Sequence, residues 1–196
     1  DMDVPNDYGL DVSCNLGSLD IHKATQSENF EELVDTSMQL LTNVSEMTYI
    51  KNVPSVAKAN KLMHSVGLGV MNLHGHLVQN NLLYGSDESI QFMDYFMEAL
   101  NFYSLKASME IAKKKNETFY GFEHSEYANG NYFNQYVNKA DVDPSDKVKQ
   151  ALGNVPIITS DMWKELKGQV QKYGVFNAYR LAVAPTGSIS YIRSCT

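Results

Sequence analysis

Two places in this 196-residue sequence carry residue types that could do chemistry: Cys14, and the run Pro185-Thr186-Gly187-Ser188-Ile189. A thiolate serves as a nucleophile or as one half of a reversible disulfide, and sulfur also tolerates a radical. A Thr/Gly/Ser run that leaves a strand offers backbone N–H groups and hydroxyls that cradle a phosphate without help from Lys or Arg. Each place also has a plainer reading. Free Cys is among the most buried residue types, so Cys14 taken alone reads first as a packing residue, and the Thr/Gly/Ser run is also an ordinary strand-ending turn. Cys195 reads as a structural thiol. Two cysteines are too few for a disulfide framework in a domain of this length, so any special role falls to one particular thiol.

Other motifs fall away on geometry. His74-Gly75-His76 is an i,i+2 pair whose side chains would point to nearly opposite sides of a helix, so packing or solvent contact is expected of both. Gly67-Leu68-Gly69 is followed by Asn72 where a dinucleotide fingerprint needs Gly, and it is expected inside a helix. The sequence has no Glu-x-x-His pair, so a di-iron site of the bundle type is not expected on this chain, nor is any other metal.

The elements that must position Cys14 and the loop are mostly helical. Residues Val12 to Ile21 read as extended chain. Thr25-x-x-Glu28 has the form of a capping box opening a first helix, whose buried face would run through Phe30, Leu33, Val34, Met38, Leu41 and Val44. Pro54 suits the first turn of a second helix, expected to continue through Met63, Val66, Val70 and Leu77 with Gly67, Gly69 and Gly75 as close-packing points. Ser86 or Asp87 caps a long, mostly buried third helix ending at Lys113-Lys114-Lys115, an order the helix dipole favours. Residues Phe119 to Tyr136 read as loops and short helices, and Val137 to Asn154 as a polar surface stretch turning at Asp141-x-Asp143-Pro144. A fourth helix starts at Thr159-Ser160-Asp161 and stops at Tyr173-Gly174. Leu181-Ala182-Val183 then reads as a short buried strand. This order predicts an α/β, helix-rich chain, part of an α/β barrel with large helical insertions.

Composition narrows the partners. Twenty-three acidic residues against 16 basic give a net charge of −7 with no dense basic block, which disfavours nucleic acid. No apolar run approaches the length of a membrane span and the start lacks a signal-like pattern, so a cytoplasmic protein without membrane contact is expected. Neither end has a polar tail, and the chain reads as cut from something longer.

Four stretches, in order, resemble one family. Cys14-Asn15-Leu16-Gly17-Ser18-Leu19 resembles the segment of ribonucleotide reductase large subunits that holds the second, strand-borne redox cysteine. Pro185-Thr186-Gly187-Ser188-Ile189 resembles that family's loop for the substrate diphosphate. Between them, Gly67-Leu68-Gly69-Val70-Met71-Asn72-Leu73-His74-Gly75 and Phe122-x-x-Ser125-x-Tyr127-Ala128-x-Gly130-x-Tyr132-Phe133 are similar to the class Ib variety.

The resemblance implies a partial catalytic domain over residues 1–196, belonging to a ten-stranded α/β barrel that reduces ribonucleoside diphosphates at the 2′ carbon. It implies Cys14 as one member of the reducing dithiol and residues 185–189 as the substrate loop. No cofactor is expected on this chain. The radical would come from a metal-containing small subunit and the reducing equivalents from a thioredoxin- or glutaredoxin-like reductant. The radical cysteine and the partner of Cys14 would lie in the rest of the large subunit, so the chain alone should be inactive. Two alternatives stay open: a non-catalytic helical module for subunit interaction, and an unrelated phosphate-binding domain in which Cys14 has no role.

Overall fold

The structure, a computed structural model, describes residues 9–11 and 13–195. Val12, the first five residues and Thr196, which figure in the sequence reading, lie outside the described residues.

In chain order the elements are β1 (Leu16–Asp20), α1 (Ile21–Ala24), α2 (Phe30–Met47), α3 (Pro54–Met63), β2 (Gly67–Met71), α4 (Leu73–Gln79) and α5 (Asp87–Lys115). A run of short helices follows: a 3-10 turn at Phe122–His124, α6 (Glu126–Asn129), a second 3-10 turn at Asn131–Phe133, and α7 (Asn134–Val137). The chain ends with α8 (Asp146–Leu152), α9 (Ser160–Tyr173) and α10 (Gly187–Arg193).

The sheet is narrow. β1 pairs with β2 in parallel, from Leu16 opposite Gly67 to Asp20 opposite Met71. On the other side of β2, Leu68 forms a single parallel bridge with Leu181; its N–H donates to Arg180 O at 2.8 Å, and Ala182 N–H donates to Leu68 O at 3.2 Å. The strand expected over Leu181–Val183 is therefore reduced to one bridged residue, and Val183 is 75% exposed rather than buried. A parallel strand needs neighbours on both sides to become a core strand, and here Leu181 has one.

The second expected helix is in fact three elements. Pro54 does open α3, but His64 closes it in the left-handed region at φ 47°, and the chain then runs as β2 before α4 begins at Leu73. A short, continuous apolar run buried on both faces cannot be told from a buried helix by periodicity. Gly67 and Gly69 thus lie in a strand, and their purpose is close approach. A Cβ on Gly67 would stand 2.5 Å from Leu16 Cδ2, and one on Gly69 would stand 2.1 Å from the Ala182 carbonyl oxygen.

Three further corrections are local. The Thr25-x-x-Glu28 box opens nothing: Thr25 closes α1 with its hydroxyl donating to His22 O, and α2 is capped by Asn29, whose Oδ1 accepts from Glu32 N–H at 3.1 Å. Asn is as good a cap as Thr, and the choice between them is decided by where the α1 turn ends. Val44, assigned to the buried face of α2, is 52% exposed, and Thr42 and Ser45 take the interior instead. The polar stretch 137–154 also hides α8, whose Val148, Ala151 and Leu152 are buried while the rest of its turn faces water.

The long third helix stands as expected. Ser86 Oγ accepts from Ser89 N–H, Asp87 and Glu88 occupy the first turn, and the three lysines the last. The caps of α9 at Thr159 and Gly174 also match the reading. α5 is the spine of the core: α2, α8 and α9 pack along it, and Phe92, Phe96, Leu100, Leu105 and Met109 are fully buried. Trp163 of α9 fills the gap against it, edge-on to Phe102 at 5.0 Å and stacked on Tyr136 at 4.0 Å. A buried amide ties the layers together. Asn177 exchanges hydrogen bonds with Ser108 and donates to Thr42 Oγ1 and His64 O, which explains why α2 and α5 each bury a hydroxyl.

Candidate active site

The segment before β1 carries Cys14. Its backbone joins the sheet through Asn15 O, which accepts from Gly67 N–H at 2.9 Å. Its side chains are held differently. Ser55 Oγ donates to Asp11 Oδ2 at 2.5 Å, Ser13 Oγ donates to Asn60 Oδ1 at 2.6 Å, and Asn15 Nδ2 donates to Ser13 Oγ and to Ser65 O. Residues 11, 13 and 15 are thus turned toward α3 and the residues after it. In extended chain, successive side chains point to opposite faces, and Cys14 is a free, exposed thiol. The packing role that composition favours for a lone cysteine does not apply here.

The second place is reached from Leu181. From its bridge to β2 at Leu181 the chain runs on through Ala182–Pro185, and Thr186 sits at the N-cap of α10 without a side-chain cap bond. Gly187, Ser188 and Ile189 form the first helical turn rather than an open loop, and all three are exposed. First-turn N–H groups have no partner inside the helix. Gly187 has nothing within 4 Å of a built Cβ.

Cys14 and residues 185–189 are not brought together here. The parallel register puts Cys14 before the N-terminal end of β1, and Pro185 beyond the C-terminal end of β2. Two clefts of about 420 Å³ lie elsewhere, along α5. One is lined by Tyr95, Glu98 and Asp141, the other by Asn101, Tyr136 and Leu181. Cys195 is half-buried; its N–H donates to Ser190 O, and its sulfur forms no disulfide.

The residues just before the loop hold a feature that sequence reasoning missed. Arg180 is 6% exposed, and its guanidinium donates to Asn101 O and Oδ1, to Ser104 Oγ, and to the hydroxyls of Tyr127 and Tyr132. Burial by itself would lower its pKa, but the two phenol oxygens outweigh that and the net shift is upward, so the cation persists. The same cluster pushes the Tyr136 hydroxyl well above the ordinary tyrosine value, first through burial and then through Tyr132. The aromatic motif from Phe122 to Phe133 acquires a physical purpose. Ser125 caps α6, Gly130 ends it at φ 82°, and the turn so made presents Tyr127 and Tyr132 to Arg180. An arginine in an otherwise apolar run, with tyrosines five residues apart upstream, was the available signal.

The histidines behave as the i,i+2 argument predicts. His74 is exposed, whereas His76 is buried, accepts or donates at 3.3 Å with His22 Nδ1, and meets Ala151 O at 3.0 Å through Nε2. Burial lowers the His76 pKa, against the Ala151 bond that raises it. Among the described residues no group of three or more His, Cys, Asp or Glu side chains could hold a metal.

Comparison with known proteins shows the family. The family model "Ribonucleotide reductase, barrel domain" matches residues 4–196. The chain is similar to the ribonucleoside-diphosphate reductase subunit alpha of Bacillus subtilis (strain 168), with 47% identity over the whole chain and 28% of that protein. It is 45% identical to the NrdEB subunit alpha of the same organism, over 18% of that protein. For the subunit alpha of Mycoplasma pneumoniae the identity is 43%, over 96% of this chain and 27% of the relative. The chain therefore spans less than a third of the relatives it matches. With a match that runs through β1, β2 and the Leu181 bridge, this chain belongs to the ribonucleotide reductase family and forms a segment of its barrel domain.

Proposed function

We propose that residues 1–196 form part of the catalytic barrel domain of a ribonucleoside-diphosphate reductase alpha subunit, contributing one reducing cysteine and the substrate's diphosphate loop. The observation that carries this reading is the free, exposed Cys14 at the mouth of β1, inside a chain 47% identical throughout to an alpha subunit of that name. In the net reaction two thiols lose two electrons and two protons and become a disulfide, while the 2′ hydroxyl of the ribonucleoside diphosphate leaves as water and hydrogen takes its place. Cys14 is one of the two thiols. Its partner and the cysteine that carries the radical belong to the rest of the large subunit. A small metal-containing subunit supplies the radical, and a thioredoxin- or glutaredoxin-like reductant reopens the disulfide in the cytoplasm.

The loop's share is electrostatic. Gly187, Ser188 and Ile189 are exposed, their first-turn N–H groups have no side-chain cap, and the Thr186 and Ser188 hydroxyls belong to the same turn, a set that suits an anion. Pro185 fixes the direction in which the chain enters that turn. The reading assigns the loop to the diphosphate and Cys14 to the ribose. It requires the complete barrel to bring the two within the length of one nucleotide.

The test is Cys14→Ser in the complete subunit, assayed with the small subunit and the disulfide reductant. Multiple turnover is expected to vanish while the melting temperature stays within about 1–2 °C, because an exposed side chain of similar size changes stability little. Normal multiple turnover would reject the assignment.

A further inference from the structure

We infer that Ser13 and Asn60 are positioning residues for Cys14, a role that rests on the reading of Cys14 as a reducing thiol. The observation is the alternation of contacts before β1. Asp11, Ser13 and Asn15 are each tied by a side-chain hydrogen bond, to Ser55, Asn60 and the Ser65 carbonyl respectively, and the exposed thiol stands between the second and third ties. These anchors are interior groups: Ser55, Asn60 and Ser65 are 8%, 5% and 7% exposed. A helix of ten residues that buries a serine and an asparagine on the face it turns to this segment gives up apolar packing there. Among the described residues Asn60 Oδ1 is satisfied by Ser13 while Asn60 Nδ2 and Ser65 Oγ have no partner, so the Ser13 bond is what satisfies the Asn60 amide, and a buried polar pair of this kind rigidifies a structure and destabilises it when one partner is lost.

The geometry suits the task. Two residues of extended chain advance about 6.6 Å, and five residues of helix about 7.5 Å, so ties spaced two apart on the segment meet anchors spaced five apart on and after α3. Among the described residues of this segment, Asp11, Ser13 and Asn15 are held by these side-chain bonds and by Asn15 O. Ser13–Asn60 is the central one, and Ser13 also receives Asn15 Nδ2 at 2.9 Å. Removing that node frees Ser13 and takes from Asn15 one of its two side-chain acceptors, leaving Asn15 held by the Ser65 carbonyl and by Gly67 N–H. A disulfide forms readily only when its two sulfurs are held at the correct separation, and loss of preorganisation lowers the effective concentration of one thiol at the other. Neither Ser13 nor Asn60 belongs to residues 185–189, to which this reading assigns the diphosphate, so KM should be unchanged.

The experiment compares Ser13→Ala/Asn60→Leu with Ser13→Thr and Cys14→Ser in the complete subunit with its small subunit and reductant. The double variant replaces both partners by apolar groups, and Asn15 Nδ2, which loses Ser13 Oγ, keeps the Ser65 carbonyl. A fall in kcat of about tenfold at unchanged KM is expected. The equilibrium constant for forming the Cys14 disulfide should drop by a similar factor, which is a rise of about 30 mV in its reduction potential. Ser13→Thr keeps the hydroxyl and should restore both. If Cys14→Ser stops turnover but the double variant matches the wild type in kcat and potential, the positioning role is wrong and the thiol's role stands. Should Cys14→Ser turn over normally, the reading of the thiol fails and the positioning role falls with it. If the double variant does not fold, Ser13→Ala alone carries the test; the same direction is expected, and wild-type behaviour overturns the proposal.

Discussion

β2 and the chain that leaves its edge at Leu181 are neighbours of opposite character. In β2 the glycines are crowded: Gly67 meets Leu16 and Ala182, and Gly69 faces the Ala182 carbonyl at a distance no side chain tolerates. Six residues beyond Leu181, Gly187 has open space around it and a helical φ that any residue adopts. The two motifs read alike in sequence, as glycines flanked by small or apolar residues. Packing separates them. A glycine that the fold itself demands is fully explained by its neighbours, whereas one the fold leaves free is available to a ligand.

The largest expected effect tests the crowded side. Gly69→Ala puts a Cβ against backbone that cannot swing away, and overpacking of this kind should cost about 3 kcal/mol or more, read as a fall in the denaturation midpoint. A loss below about 0.5 kcal/mol would show that β2 and Ala182 are not in such close approach. Next comes Arg180, which bolts the loop's approach to α5. Arg180→Met fills part of the space but strands the Asn101 and Ser104 oxygens, at an expected cost of about 2 kcal/mol, measured in the same way. Tyr132→Phe removes one of its acceptors and should cost less.

Acid tests a third contact of the crowded side. Burial holds His64 and His76 below the ordinary histidine value of 6.5. A depressed folded pKa means the unfolded chain binds more protons, so this contribution is present above about pH 6.5 and is lost as pH falls toward the folded values. Hydrogen exchange in α4 and α8, corrected for its intrinsic pH dependence, should show opening as pH drops from about 7.5 to about 5.5, and His76→Asn should weaken the trend. An unchanged protection pattern would contradict the burial of His76.

The smallest stability effect is expected on the open side. Gly187→Val should move the melting temperature by no more than about 1–2 °C, since nothing stands where the side chain would go. On the proposed reading, in which the turn holds phosphate and not base, it should raise KM of the complete enzyme for every nucleoside diphosphate by a similar factor. A change in preference among bases would give the loop another task.

This contrast also explains what was legible in the sequence. α5 and α9 were, because their caps at Ser86, Thr159 and Gly174 and their apolar spacing act locally. β2 was not. A five-residue apolar run buried on both sides has no period to read, and the left-handed turn at His64 that separates it from α3 leaves no glycine signal. α8 was hidden by its own polar face. Cys14 and the 185–189 run stand out by residue type and by resemblance, whereas Ser13, Asn60 and Arg180 do not, because their partners lie 47 or more residues away. Buried polar residues announce themselves only once the fold has brought those partners together.

Whether Cys14 is a reducing thiol is most directly tested by mapping the disulfide in the complete subunit after one turnover without reductant. Peptide mass spectrometry should find Cys14 joined to a cysteine outside residues 1–196, in proportion to the deoxynucleotide formed. A Cys14 that stays reduced while product accumulates, or that is found joined to Cys195, would contradict that role.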